Sequence, residues 1–295
     1  MSGASTSTMG VSLWEDSFRR FRKDKVGVVC FITIVVYVIV ALSAWVGLFG
    51  DPNEQMADAM KKPPSAEHWF GTNILGQDVL ARVTGGTRIA IGLGMMTALL
   101  STLIGGVLGA LAGWFGKWVD EAVVWLYSTV ASIPSLVLIM AVAFVFKQNW
   151  GEGAAFYAVF VAMGLTFWVG TCRIMRGEFM KLKERDYVLA AKAMGYGNTR
   201  IIFGHIMPNA MHLLIIMATL IFVQAIKSEV VISFLGVGMS DEPSWGMIIQ
   251  DAEAELTKGQ WWQMTFTSVA LFGIVLASQV FGDSLRDALD PRLRT

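Results

Sequence analysis

The sequence predicts an all-α membrane protein with six transmembrane helices and both termini in the cytoplasm. Three observations carry this. Of 295 residues, 55% are hydrophobic and 16% charged, with a mean hydropathy of +0.56, whereas a soluble domain carries about 25% charged residues. Uncharged runs long enough to cross a hydrocarbon core of about 30 Å as a helix recur along the chain. Lysine and arginine crowd alternate segments between those runs, as they do in cytoplasmic loops.

Four runs are free of charge: residues 26–49, 89–116, 122–146 and 153–172. A fifth span is expected over about residues 211–235, carrying Lys227 and Glu229, and a sixth over about 263–282. With the N-terminus inside, 16 Lys and Arg fall on inner segments and 6 on outer ones, while Asp and Glu divide evenly. The rule reads cations, so the even split of acids does not weigh against it. The first run is longer than the h-region of a signal peptide and follows a charged stretch, so it is expected to stay as an anchor.

The 23 basic residues balance 23 acidic ones, so no global positive field argues for nucleic acid. Cys30 and Cys172 make no disulfide framework or metal spacing and read as small apolar packers. His68, His205 and His212 are the only histidines. His205 and His212 have no carboxylate at ligand spacing, so no metal site is expected, and His68 reads as a loop hydrogen-bonder. No Ser/His/Asp set or carboxylate pair assembles, so no catalytic residue is assigned.

The chain divides into a cytoplasmic tail, residues 1–25, and a membrane domain, residues 26–295. In the tail, Leu13, Trp14, Phe18 and Phe21 recur at helical spacing beside Arg19, Arg20, Arg22 and Lys23. This reads as an amphipathic helix on the lipid of the inner leaflet; a charged flank that serves only orientation is the alternative.

In the second span Ser101, Gly105, Gly109 and Gly113 stand at intervals of four. Such a stripe lets another helix backbone approach, though glycine is common in membrane helices anyway. In the third, Pro134 breaks the hydrogen-bond ladder, and Ser132 and Ser135 are at hand for freed carbonyls. A kink there would shape a pathway.

A charge near the bilayer centre costs about 2.5 to 3.5 kcal/mol on insertion scales. Lys227 and Glu229 lie roughly 200° apart around a helix and cannot satisfy one another. Glu229, with Ser233 one turn on, lines a polar pathway or gate or locks a contact between helices, or else both charges lie near the outer interface and snorkel or meet solvent; the expectation is a structural role for Glu229 and snorkelling for Lys227.

The inner segment 173–210 holds seven cations and three acids, far longer than a connector of about 2 to 8 residues. It reads as a helical hairpin. Asp186 to Met194 ends at Gly195 and Gly197, and a second helix N-capped by Asn198 carries Ile201, Ile202 and Ile206 up to Pro208. An apolar face with a basic rim outside the membrane is expected to dock a cytosolic partner.

The run Tyr187-Val188-Leu189-Ala190-Ala191-Lys192-Ala193-Met194-Gly195, with Pro208 13 residues later, resembles the EAA loop of bacterial ABC importer permeases. That loop couples a permease to its ATP-hydrolysing subunit. Leu189 stands where the pattern usually has Glu, and Met207 where it has Leu. His68-Trp69-Phe70-Gly71-Thr72-Asn73 with Gly76-Gln77-Asp78 is similar to the H-x-x-GTD-x-x-GRD stretch of the peptide and nickel branch, and Glu229 with Ser233-Phe234-Leu235-Gly236-Val237-Gly238 to its E-x-x-x-SFLG-x-G segment. Asp287 to Arg292 resembles its C-terminal tail.

The resemblance implies a type I ABC importer permease in the bacterial inner membrane, the second of two permease subunits, passing di- and oligopeptides. Leu189, Ala190, Ala191, Gly195 and Pro208 would couple to the ATPase. It also implies partners: a homologous permease, two ATP-binding subunits and an extracytoplasmic substrate-binding protein that meets outer residues 50–88 and 239–262. For Trp245 that contact stands beside interfacial anchoring; for Trp261 and Trp262 anchoring is the expectation.

No G-x-x-x-x-G-K-[ST] loop occurs, since Gly116-Lys117 is followed by Trp118. The chain is therefore expected to bind no cofactor itself, with ATP and magnesium held by partner subunits. The alternatives are a permease for nickel or another small solute and, from a different class, a self-sufficient secondary transporter with inverted repeats.

Overall fold

The computed structural model describes residues 19–238 and 242–289, and no strand longer than an isolated bridge occurs among them. The expected amphipathic helix at Leu13, Trp14 and Phe18 lies outside the described residues, as does the end of the tail motif from Asp290 on.

Helix α1, Lys25–Trp45, is capped by Asp24, whose carboxylate accepts from Val26 N at 3.1 Å. The Ser284 hydroxyl, then the Gly27 N–H, hold that carboxyl below the usual carboxylate range. Only Gly27 and Ala41 of α1 are buried, as suits a helix that meets lipid over most of its face. It leans on α10, Trp262–Leu289, through Tyr37, whose hydroxyl donates to Ala270 O at 2.7 Å.

Helix α2, Val79–Phe115, has 37 residues, about 55 Å at 1.5 Å per residue, against a hydrocarbon core of about 30 Å. The uncharged run predicted only the part from Ile89. The charges at Arg82 and Arg88 hid the first turns, and both are paired in the fold, with Asp251 and Glu242.

The stripe on α2 faces helix α5, Ala155–Leu182, of the same chain. A Cβ at Gly105 would lie 2.5 Å from Trp168 O, one at Gly109 2.5 Å from Cys172 O, and one at Gly113 2.6 Å from Arg176 O. Ser101 Oγ adds a bond to Gly164 O at 3.2 Å. Lipid supplies no hydrophobic drive between helices, so this backbone approach is what holds α2 to α5.

Helices α3, Lys117–Ala131, and α4, Ser135–Trp150, meet at a 90° bend at Pro134. The expected kink is a full break. Counting that pair as one span, six crossings fit by length and composition.

Helix α6, Asp186–Ala193, ends where Gly195, at φ +80°, turns the chain. Tyr196 N bonds Ala191 O at 3.1 Å and Gly195 N bonds Lys192 O at 2.9 Å, the paired closure that favours glycine at this position. The next helix, α7, Asn198–Ile201, has Gly197 rather than Asn198 at its N-cap.

Pro208 does not end this second arm. A π-turn over Ile202–Ile206 leads directly into α8, Met207–Phe234, and Met207 N bonds Ile202 O. The proline falls in the first turn of α8, where its missing N–H is tolerated because the wider turn ahead absorbs the register change. The arm and the fifth span are one helix of 37 residues, Asn198–Phe234.

At the other end of the molecule, α9, Trp245–Leu256, is capped by Ser244 and packs across α2, α8 and α10. The molecule thus has a hairpin end, at α6, and a cap end, at α9.

Candidate functional site: an exposed hairpin and a groove at a broken helix

Val188 and Ala191 of α6 point inward, packing with Met175, Phe179, Ile201 and Ile206 in one buried cluster. The same spacing turns Tyr187, Leu189, Ala190 and Met194 outward. Leu189 is 50%, Met194 64% and Phe203 64% exposed. Of the residues read as coupling positions, Leu189, Ala190, Gly195 and Pro208 are therefore at the surface, and Ala191 is buried. Ala191 builds the hairpin instead of presenting it. Phe203 was missed, although Ile201, Ile202 and Ile206 on the inner face place residue 203 on the outer one.

Cations join this face to the rest of the fold. Lys192 Nζ lies 4.7 Å above the Trp114 ring, and Arg200 4.2 Å above Tyr196, each a cation–π contact. Lys183 Nζ donates to Gly113 O at 3.1 Å, and Arg176 grips Asp120 with two bonds, Nη2 to Oδ2 at 2.7 Å. Lys192 thus ties α6 to the end of α2, while Lys183 and Arg176 tie the end of α5 to the adjoining ends of α2 and α3. Burial, more than any other influence, raises the Tyr187 hydroxyl above its usual range; Asn209 Nδ2 lies 3.5 Å from it.

Pro134 lines an open groove of about 650 Å³ between the α3–α4 break, α5 and α8. Ser132, Ser135, Thr166 and Gln224 supply its polar wall, and Phe167 and Met217 part of its apolar one.

Glu229 and Ser233 are elsewhere. Glu229 is 1% exposed and accepts from Ser233 Oγ at 2.7 Å, while Lys227 on the opposite face is exposed. A Cβ at Gly246 would meet Val230 O at 2.4 Å and Ser233 Cβ at 2.7 Å. The carboxylate is closed under α9 and is not among the residues that line the groove.

At the cap end the glycine-rich stretch is a built loop. His68 Nδ1 lies 2.8 Å from Asp78 Oδ2, and Asp78 Oδ1 caps α2 at Leu80 N. Asn73 Nδ2 donates to Gln77 Oε1 at 2.8 Å, so the two positions that depart from the motif pair with each other. Trp245 is fully buried with Nε1 donating to Val83 O at 3.0 Å, and Trp262 is buried with Nε1 on Thr72 O at 2.9 Å. Neither is placed as an interfacial anchor; of the three, Trp261 is the one half exposed.

A family described as "Binding-protein-dependent transport system inner membrane component" matches residues 105–295. The chain belongs to that family. Residues 12–64 also match the "N-terminal TM domain of oligopeptide transport permease C". Among curated relatives, the oligopeptide transport system permease protein OppC of Bacillus subtilis (strain 168) is 35% identical over 292 residues, covering 98% of this chain and 92% of that one. The dipeptide transport system permease protein DppC of the same organism is 34% identical over 289 residues, covering 96% and 87%. A solved inward-facing MetNI methionine ABC transporter chain superposes with a TM-score of 0.57 at 18% identity, over 72% of this chain and 96% of that one, a likeness of fold.

The permease is therefore a multi-pass inner-membrane subunit of an ABC importer, a transport component and not an enzyme. Membership sets aside the self-sufficient secondary transporter. It implies that ATP is handled outside this chain and that the permease works beside other subunits.

Proposed function

We propose that this permease passes di- and oligopeptides across the inner membrane, forming half of a pathway whose other half is a homologous permease. In this reading α6 and its turn lie in the cytosol. There Leu189, Ala190, Gly195 and Pro208 fit a groove on one of two ATP-binding subunits, which hold ATP and magnesium. An extracytoplasmic binding protein delivers cargo at the cap end, and lipid surrounds α1.

The observation that carries the coupling role is the outward face of the hairpin. Leu189, Met194 and Phe203 are half or more exposed beside Lys192 and Arg200. Large apolar side chains exposed together with a charged rim mark an interaction site. The peptide cargo is supported by the relatives' names and by the OppC-type N-terminal segment.

Gly195 gives the test. A Cβ there meets nothing within 4 Å, so Gly195→Trp projects into the space a partner would fill. The expected outcome is normal membrane insertion with ATP hydrolysis uncoupled from uptake. Gly195→Asn, which tolerates the left-handed conformation, is expected to keep coupled transport. Normal coupled uptake by Gly195→Trp refutes the docking role.

A further inference from the structure

Lys227 stands seven residues before the end of α8, about 10 Å at 1.5 Å per residue and so inside a core of about 30 Å. Its side chain is exposed and makes no hydrogen bond or ion pair among the described residues. An ammonium held at that depth without a partner needs water or an anion beside it.

The side of α8 that carries Lys227 is the side of the groove. Leu220 and Gln224 line the groove at the Pro134 break, and Lys227, seven residues after Leu220, points within about 20° of it on an ideal helix. Val231 and Phe234 continue the row at the same alternation of four and three residues, and all five are exposed. The row leads from the groove toward the cap end. On the reverse of the helix Ile215, Ala218 and Phe222 line a different, apolar groove of about 540 Å³ against α1, α2 and α10. Glu229 is turned under α9 and bonded to Ser233, so the exposed row carries one positive charge and no acid.

We propose that Lys227 binds cargo: its ammonium takes the C-terminal carboxylate of a peptide on its way from the cap end to the groove, with Gln224 one turn deeper as a second donor. This rests on the peptide reading above and adds to it a residue and the cargo group it holds. Every linear peptide with a free C-terminus presents that carboxylate, an acceptor-only group that matches the three donors of an ammonium. The contact is a charge-assisted hydrogen bond, stronger beside lipid than in bulk water because the surroundings screen it less.

The test is uptake by the complete importer in vesicles of trialanine and of trialanine amide, which lacks the carboxylate. Each variant is read as a ratio to wild type for the same peptide, so that selection by the binding protein cancels. Lys227→Gln is expected to lower trialanine uptake about tenfold and to leave the amide at the wild-type level, while Lys227→Arg keeps both. Unchanged uptake of both peptides by an assembled, ATP-hydrolysing Lys227→Gln complex overturns the proposal. An equal loss for both overturns it too, and is the result for a lysine paired with an acid of the partner permease.

Should wild type carry trialanine but not its amide, Lys227→Cys decides, with treated wild type as the control for Cys30 and Cys172. Methanethiosulfonate ethylammonium, which rebuilds a cation at position 227, is expected to restore trialanine uptake, and the ethylsulfonate reagent is expected to leave it low; any other pattern overturns the proposal. Wild-type uptake of neither peptide would instead sink the peptide reading itself, a result distinct from these.

Discussion

Arg82 Nη2 lies 2.7 Å from Asp251 Oδ2, an ion pair across 169 residues that fastens the start of α2 to α9. The burial is uneven: the arginine side chain is 4% exposed and the aspartate 42%. Removing the aspartate strands a buried guanidinium whose Nε and Nη1 already lack partners among the described residues. Asp251→Ala is expected to cost about 1–3 kcal/mol, more than an exposed pair and less than a fully buried one. Glu253→Ala, on the exposed face of the same helix, is expected to be silent. Thermal unfolding of the two variants in detergent checks this.

Glu255 shares the cap and gives it a pH dependence. Its Oε1 accepts from Ile74 N at 3.0 Å, and burial raises its carboxyl above the ordinary value of 4.5, against the pull of that bond and of Arg82. A raised folded-state pKa means that the unfolded chain loses this proton first. The stability Glu255 contributes is therefore full below about 4.5 and is lost as pH rises through the folded value. Glu255→Gln is expected to melt higher than wild type at pH 8, with the gap closing as the pH is lowered toward 4.5. A variant that melts no higher than wild type at pH 8 contradicts this.

The α2–α5 contact predicts a contrast between two glycines. Gly109→Leu drives a side chain into the Cys172 carbonyl and Met175 and is expected to cost about 3 kcal/mol or more, the upper end for overpacking. Gly177→Ala, on α5 with nothing within 4 Å, is expected to gain roughly 0.5–1 kcal/mol. The yield of monodisperse protein after mild heating separates the two.

What was legible in the chain follows from which forces are local. Lipid demands uncharged runs, so the spans could be read directly, and Gly195 marked the α6 turn because a left-handed residue is needed there. The first turns of α2 could not be read, because Arg82 and Arg88 are satisfied by acids from beyond residue 240. Pro208 looked like a stop because a proline's usual effect says nothing of a π-turn placed before it. Trp262 looked interfacial, and Trp245 was open between anchoring and a binding-protein contact, because their acceptors, Thr72 O and Val83 O, are far off in sequence. In the hairpin the motif named the right segment but not its faces. Ala191 packs inward and Phe203 outward, a distinction set by the way α6 lies on the α7–α8 helix.

The most direct test is a photo-crosslink from position 189. A photoactivatable residue replacing Leu189, half exposed at the hairpin end, is predicted to form an adduct with an ATP-hydrolysing subunit in membranes that carry the assembled importer. The same residue at Trp69, 70% exposed at the cap end, is predicted to form none. An adduct from position 69 and none from position 189 would contradict the coupling role of the hairpin.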